Sequence, residues 1–156
     1  MYIRPPPSSF GTLGITTVAG GEVDEYQLTL RVSSDDLEPE DISTLLGIEP
    51  TSARRMGDLV GEPREGGPTA RTGSWHLKTP AEPGAGFEGL VTALLNRLPA
   101  DQSVWAALRE NCKVDLFCGV FLRNWNRGMT LSPEMMNELS RRGIELGLDI
   151  YAPNDA

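Results

Sequence analysis

The sequence predicts an α+β fold, a ferredoxin-like sandwich of two βαβ halves with an extra helical insertion between them. Segments whose apolar residues alternate are interleaved with segments whose apolar residues recur every three or four positions, which indicates strands and helices. The pattern L-x-P-E-x-I-x-x-L at residues 37–45 returns as L-x-P-E-x-M-x-x-L at residues 131–139, and Gly-Ile-Glu follows each copy. Two such halves with helices on one sheet face are ferredoxin-like. The alternative is a coincidence of helix-start chemistry, because leucine and proline are common at such positions.

The first half contains a strand, a helix and a second strand. Residues 26–32 alternate between apolar and polar side chains, which predicts a half-buried strand. Pro39 fits the first turn of a helix, where its missing N–H costs nothing, and Gly47 fits a left-handed helix end. Residues 50–73 show no periodicity and are rich in proline and glycine, so we expect a long loop that is either functional or locally disordered. Residues 75–79 alternate again and predict the second strand.

The middle of the chain is helical and leads into a further strand. Residues 87–98 carry the strongest amphipathic pattern of the sequence, and Pro99 ends it. Asp101 is expected to cap a second, short helix. Residues 114–122 then alternate with bulky side chains in both phases, which predicts a central strand.

The second half repeats the order of the first. Ser132, followed by proline, is expected to cap a third main helix, with Met136 and Leu139 facing the core. Gly143 closes this helix in the manner of a left-handed cap. Residues 146–150 alternate and predict the last strand.

Length and charge restrict the class of protein. The 156 residues predict a single α+β domain over residues 22–156, preceded by a flexible, proline-bearing N-terminal arm over residues 1–21. A net charge of −8 disfavours binding to nucleic acid or to an anionic membrane, and leaves room for a basic protein partner. We expect a cytoplasmic protein, because the arm has no continuous apolar run of the kind found in signal peptides and membrane spans.

The two cysteines are expected to be free thiols. If the segment from Cys112 to Cys118 is a strand, the two lie about 20 Å apart, far beyond disulfide reach. Free thiols suit a reducing cytosol. His76 is the only histidine, and there is no C-x-x-C motif, so we expect no metal and no cofactor.

The sequence carries no catalytic constellation, and we expect no enzymatic activity. A nucleophile–base pair would need His76 beside Cys118 or a serine. His76 is instead placed on the outer face of one strand and Cys118 on the inner face of another. The acidic segment 35–41 lies at a helix start, where carboxylates offset the helix dipole. The alternative for that segment is an acidic patch that faces a partner.

Four short motifs resemble those of a bacterial family of domains of unknown function. In chain order they are I-S-T-L-L-G-I-E-P-T at 42–51, R-M-G-D at 55–58, G-S-W-H-L at 73–77 and L-D-I-Y at 148–151. The resemblance implies a small stand-alone cytosolic protein, and some such proteins accompany toxin systems as candidate immunity proteins. It implies no catalytic residues. The proline-rich arm and the enlarged glycine-rich loop depart from the shorter family pattern.

These observations lead to a hypothetical recognition site. Trp125 stands between arginines in a polar turn, which is typical of an interface hot spot, although it could also fold onto the sheet edge. The loop over residues 54–71 is locally basic, and arginine suits carboxylates and phosphates. The alternative is a structural role, in which Arg55 only anchors the loop by an ion pair with Asp149 or Asp58. The proposed site comprises Arg54, Arg55, Asp58, Trp125, Asp149 and Tyr151.

The function expected from the sequence is that of a non-enzymatic binding protein of unknown specificity, of which an immunity-type protein that antagonises a toxin is the most concrete version. The alternative is a small-ligand-binding or regulatory domain that uses the arginine-bearing loop 50–73.

Overall fold

The computed structural model describes residues 20–80, 82 and 84–153. Within them the chain is a mixed α+β structure in which one five-stranded open sheet has the order β2-β3-β1-β4-β5. The elements in chain order are β1 (Glu25–Ser34), α1 (Pro39–Leu46), β2 (Ser52–Arg54), β3 (Gly73–Lys78), α2 (Phe87–Leu95), α3 (Gln102–Asn111), β4 (Lys113–Phe121), α4 (Pro133–Arg142) and β5 (Glu145–Tyr151). The predicted α+β class is confirmed.

Strand β1 is the centre of the sheet. It pairs antiparallel with β3 on one side and with β4 on the other, and β2 extends the β3 side by a short antiparallel ladder. Strand β5 pairs parallel with β4 and forms the opposite edge. The two proposed halves therefore pair differently, because β4 and β5 are parallel neighbours whereas both neighbours of β1 are antiparallel.

The hydrophobic core lies between one face of the sheet and the four helices. Leu28, Leu30 and Leu116 from the strands and Trp75 and Trp105 are all fully buried in a single cluster. The Trp75 indole donates to Ser43 Oγ at 3.1 Å, and the Trp105 indole donates to the Pro99 carbonyl at 2.9 Å. Both tryptophans are packing residues. The other sheet face carries no helix among the described residues and is called the open face below.

Most helix ends lie where the sequence predicts them. Pro39 occupies the first turn of α1, and Gly47 and Gly143 end α1 and α4 with φ of 68° and 65°. The Asp101 side chain accepts from Ser103 N–H at the start of α3, and the Ser132 side chain accepts from Met135 N–H at the start of α4.

Three sequence predictions are wrong in detail. Met135 rather than Met136 faces the core in α4, and Met136 is half exposed. The segment 50–73 is not structureless, since β2 pairs with β3 there and Leu59 forms an antiparallel bridge with Thr69. Helix α2 also stops at Leu95, before the expected residue 98.

The predicted N-terminal arm, residues 1–21, lies outside the described residues except for Gly20 and Gly21. The division into an arm and a domain stays a prediction. None of the helices within the described ranges has the length and the apolar character that a membrane crossing requires.

Candidate binding surfaces

The arginine loop is anchored to the start of helix α1. Arg55 Nε donates to Glu38 at 2.7 Å and Arg55 Nη2 donates to Glu40 at 2.6 Å, while Arg55 N–H donates to Asp58 Oδ2 at 2.7 Å. Hydrogen bonds to Glu38 and Glu40 raise the pKa of the Arg55 guanidinium. Arg55 therefore ties the loop to two carboxylates of the acidic segment, which supports the anchoring role for Arg55, but with the start of α1 as its partner.

A second candidate surface lies at the far edge of the sheet and is called the Trp125 corner. It comprises Asp149 and Tyr151 of β5 together with Trp125, which lies four residues after Phe121, the β4 partner of Tyr151. The Trp125 side chain is 88% exposed. Tyr151 stacks on Phe121 with ring centroids 4.7 Å apart, and its hydroxyl donates to Asp149 at 2.6 Å. That hydrogen bond is the main reason why the pKa of Tyr151 is raised.

Hydrogen bonds and an ion pair to the residues just before β1 fix the turn that carries Trp125. Arg123 N–H donates to Asp24 Oδ2 at 2.8 Å, and Arg127 Nε lies 3.3 Å from the same oxygen. Arg127 Nη1 also donates to the Gly20 carbonyl at 2.6 Å. Because these contacts already order the turn, binding through the exposed indole would cost little additional conformational entropy of the backbone. This suits an anchor residue of an interface.

The six residues of the predicted site form two separate groups. Arg54, Arg55 and Asp58 lie in or beside β2, whereas Asp149 and Tyr151 lie in β5 and Trp125 follows β4. Strands β2 and β5 are the two edges of the sheet, so four strand spacings, roughly 19 Å, separate the groups. The expected contact between β5 and the arginines of the loop is not formed. Whether either group binds a partner stays a prediction.

The open face presents a polar row that the sequence analysis missed. Arg31 Nε and Nη2 donate to the two oxygens of Asp115 at 2.7 and 2.9 Å, and the guanidinium lies 4.6 Å from the centre of the Phe117 ring. His76 stands opposite Arg31 in the register. Burial, and then the nearby Arg31, lower the pKa of His76, which keeps the imidazole neutral near pH 7.

Beside this row the open face has a shallow concavity of about 330 Å³. Its lining residues are Thr29, Arg31, Thr51, Ser52, His76, Lys78 and Phe117. The mixture of cationic, hydroxyl and aromatic groups could hold a small anion. The sequence signal for it was the polar phase of β1 and β3, but the pairing register that joins the residues cannot be derived from alternation alone.

Another concavity, of about 290 Å³, adjoins the start of α2. Tyr26 lines it and is 4% exposed, and its hydroxyl has no hydrogen-bond partner among the described residues. Burial raises the pKa of Tyr26 to about 12. The neighbouring Glu22 and Glu88 make this concavity unfavourable for an anion.

The part of the chain that the structure describes contains no group of three or more metal-ligating side chains. Cys118 is fully buried on the helix-covered face, whereas His76 lies on the open face, so the two are on opposite sides of the sheet.

Comparison with known proteins gives one match. The family profile described as "Domain of unknown function (DUF4279)" matches residues 24–153, which is nearly all of the described chain. No curated protein and no solved structure matches this sequence.

Proposed function

Because the chain belongs to the DUF4279 family, whose description assigns no activity, we propose its function from its own surface: it is a non-enzymatic protein that binds another protein through the Trp125 corner. The observation that carries the proposal is the 88% exposure of Trp125 on an anchored turn. Tryptophan is the residue most enriched among interface hot spots, and exposing it in the free protein costs hydration free energy.

The net charge of the chain, −8, favours a basic protein as the partner. At the corner itself the carboxylates of Asp24 and Asp149 are matched in number by Arg123 and Arg127, which flank Trp125. The net charge would accelerate the encounter with a basic partner and repel nucleic acid and anionic membranes. Antagonism of a toxin is the most concrete version of this role, and it agrees with the resemblance of the four short motifs to a family with candidate immunity proteins.

A cytosolic setting supports the same role. Cys112 and Cys118 are both free thiols, which is typical of a reducing compartment. An immunity-type protein would act there on a toxin that has entered or is made in the same cell.

We also infer that the fold is ferredoxin-like. The order β2-β3-β1-β4, with α1 before β2 and with α2 and α3 before β4, agrees with a βαββαβ unit, to which α4 and β5 are added. Helices α2 and α3, which the sequence analysis took as an insertion, would then form the second crossover. This fold hosts many functions and does not by itself favour one.

The test uses the product of the gene next to the one that encodes this chain, purified in an inactive form. Calorimetry should show binding to the wild-type protein, and Trp125→Ala should weaken it at least about thirtyfold, the effect of a hot-spot residue. The melting temperature should stay unchanged, because the side chain makes little contact within the protein.

Two matched variants serve as controls. Leu59→Ala removes a half-exposed apolar side chain far from the corner, and Arg55→Ala removes the loop's anchor. Both should bind like wild type. Loss of binding in Arg55→Ala with an intact melting temperature would move the site to the arginine loop, and equal binding by Trp125→Ala would refute the Trp125 corner.

A second candidate function is the binding of a small anion in the open-face concavity beside Arg31. It is favoured by the juxtaposition of Arg31, His76 and Lys78 in an otherwise acidic chain. Titration with inorganic phosphate or acetate, followed by amide chemical shifts, would detect it. Shifts confined to β1 and β3 that Lys78→Ala abolishes would support it, and the absence of saturable shifts would eliminate it.

A further inference from the structure

Strand β5 is an unprotected edge. It runs for seven residues, Glu145–Tyr151, and pairs only with β4 among the described residues. Natural sheets commonly protect such edges with short strands, proline, lysine or bulges. The other edge follows that rule, since β2 has three residues and ends in Arg54. Strand β5 has no proline and no lysine, and its two charged residues, Glu145 and Asp149, lie on the open face and not on the side of the exposed aliphatic residues.

The backbone of β5 shows which residues are ready to pair. Leu122 N–H donates to the Tyr151 carbonyl at 3.0 Å, so the polar groups of Tyr151 point toward β4. The direction alternates along a strand, and in a parallel ladder the N–H and C=O of one residue point the same way. Leu146, Leu148 and Ile150 therefore present their backbone groups to the free edge.

The same three residues carry the apolar side chains of the strand. They lie on the helix-covered side of the sheet, opposite Leu116, Cys118 and Val120 of β4. Yet Leu148 is 44% exposed and Ile150 is 61% exposed. The core is thus left open at this edge.

We propose that β5 pairs antiparallel with β5 of a second copy of this chain, about a twofold axis at Leu148, to form a continuous ten-stranded sheet. In this register Leu148 meets its own copy and Leu146 meets Ile150, each as a hydrogen-bonded pair of edge-facing residues. The exposed aliphatic side chains of both copies then extend the core across the interface.

Charge selects this register over its neighbours. With the axis at Leu148, Asp149 lies opposite Gly147 and Glu145 lies opposite Tyr151, so no two carboxylates meet directly. An axis at Gly147 would set Glu145 against Asp149, and an axis at Asp149 would set that residue against its own copy. Like charges directly opposite each other destabilise a strand pair. Of these three registers, only the one with its axis at Leu148 keeps the carboxylates apart, and it pairs all seven residues of the strand.

Sedimentation velocity of the full-length chain should show a concentration-dependent equilibrium between one chain and two. Leu148→Lys should raise the dissociation constant about a hundredfold, because it brings two ammonium groups together at the axis. Met56→Lys is the matched control, since Met56 is 51% exposed in the loop beside the other edge, and it should not change the dissociation constant.

A gain of affinity tests the register without relying on disruption. A Cβ at Gly147 meets no atom within 4 Å, so a side chain is tolerated there. Gly147→Lys should place a cation opposite Asp149 of the other copy and lower the dissociation constant about tenfold, whereas Gly147→Glu should raise it by about the same factor. Equal effects of the two variants would contradict the register.

Hydrogen exchange distinguishes whether a second copy or a segment of the same chain pairs with the free edge of β5. The amides of Leu146, Leu148 and Ile150 should gain protection as the concentration rises, while the amides of Gly147 and Asp149 are protected at every concentration. A single-chain mass at the highest soluble concentration would overturn the proposal. Protection of the edge amides in that single chain would mean that a segment of its own, such as the N-terminal arm, covers β5. Asp149 and Tyr151 of the Trp125 corner lie within β5, so dimerisation would cover part of that corner. The two proposals remain distinguishable, because the test of the proposed function replaces Trp125, which lies outside the strand.

Discussion

At the scale of single residues, the ion pairs of this chain differ in what they can stabilise. Asp115 is 9% exposed and receives two hydrogen bonds from Arg31, so its carboxylate would be left poorly hydrated if Arg31 were removed. The Arg31 side chain is 39% exposed and keeps part of its own hydration. Arg55 pairs with Glu38 and Glu40 on the exposed surface, where such pairs contribute little to stability. The open face is therefore held by Arg31 and Asp115, and the loop by a weaker, more adjustable contact.

Asp24 gives a prediction on pH. The hydrogen bond from Arg123 N–H, with Arg127 nearby, holds the pKa of this carboxyl below its usual range. A pKa that is lower in the folded state adds stability above the unfolded pKa of about 3.9, and this stability is lost as the pH falls through the folded pKa. We expect Asp24→Asn to be less stable than wild type at pH 7, and the difference to shrink toward zero in acid. Urea unfolding over a pH series measures it, and a difference that stays constant with pH would show that the charge is not the cause.

At the scale of secondary-structure elements, the helix ends were the most predictable features and the faces were less so. Pro39, Gly47 and Ser132 determine helix ends through their own backbone angles or through contacts with residues a few positions away, so these ends can be predicted from the sequence. The inward face of α4 was misassigned because adjacent methionines, Met135 and Met136, both fit a helical stripe. Strand β2 was missed because three residues are too few to show alternation, and only pairing with β3 makes them a strand.

The glycines that end α1 and α4 give a matched test. Both adopt left-handed φ angles, 68° at Gly47 and 65° at Gly143, so alanine should cost about 1 kcal/mol of unfolding free energy at each. At Gly47 a Cβ meets nothing within 4 Å, but at Gly143 it would overlap the Arg109 side chain. Gly143→Ala should therefore be the more damaging of the two in urea unfolding.

A double-mutant cycle separates the two causes. Arg109→Ala removes the obstructing side chain, so the cost of Gly143→Ala measured in that background should fall to the cost of Gly47→Ala. An unchanged excess would place the difference in the backbone of α4 and not in the contact with Arg109.

At the scale of the whole molecule, the order of the strands decided what the sequence could reveal about the candidate site. Alternation correctly indicated which residues of β1 and β4 share a face, but the bond between Arg31 and Asp115 joins positions 84 residues apart. The same limit applies to the six-residue site, since Arg55 and Tyr151 were brought together only by assuming that their strands were near each other. The exposure of Trp125, in contrast, follows from a turn with polar neighbours and was one of the two readings that the sequence allowed.

The two cysteines report on the stability of the whole sheet. Cys118 is fully buried in β4, where burial raises the pKa of its thiol to about 12, whereas Cys112 is only partly buried just before that strand. Since the thiolate is the reactive form, native Cys118 should be modified only when the protein unfolds globally, and Cys112 should react first. After denaturation without a reductant, mass spectrometry should find two labels per chain. Equal native rates for the two thiols would show that β4 opens locally, and a single chain that takes up no label would reveal a disulfide and contradict the strand geometry.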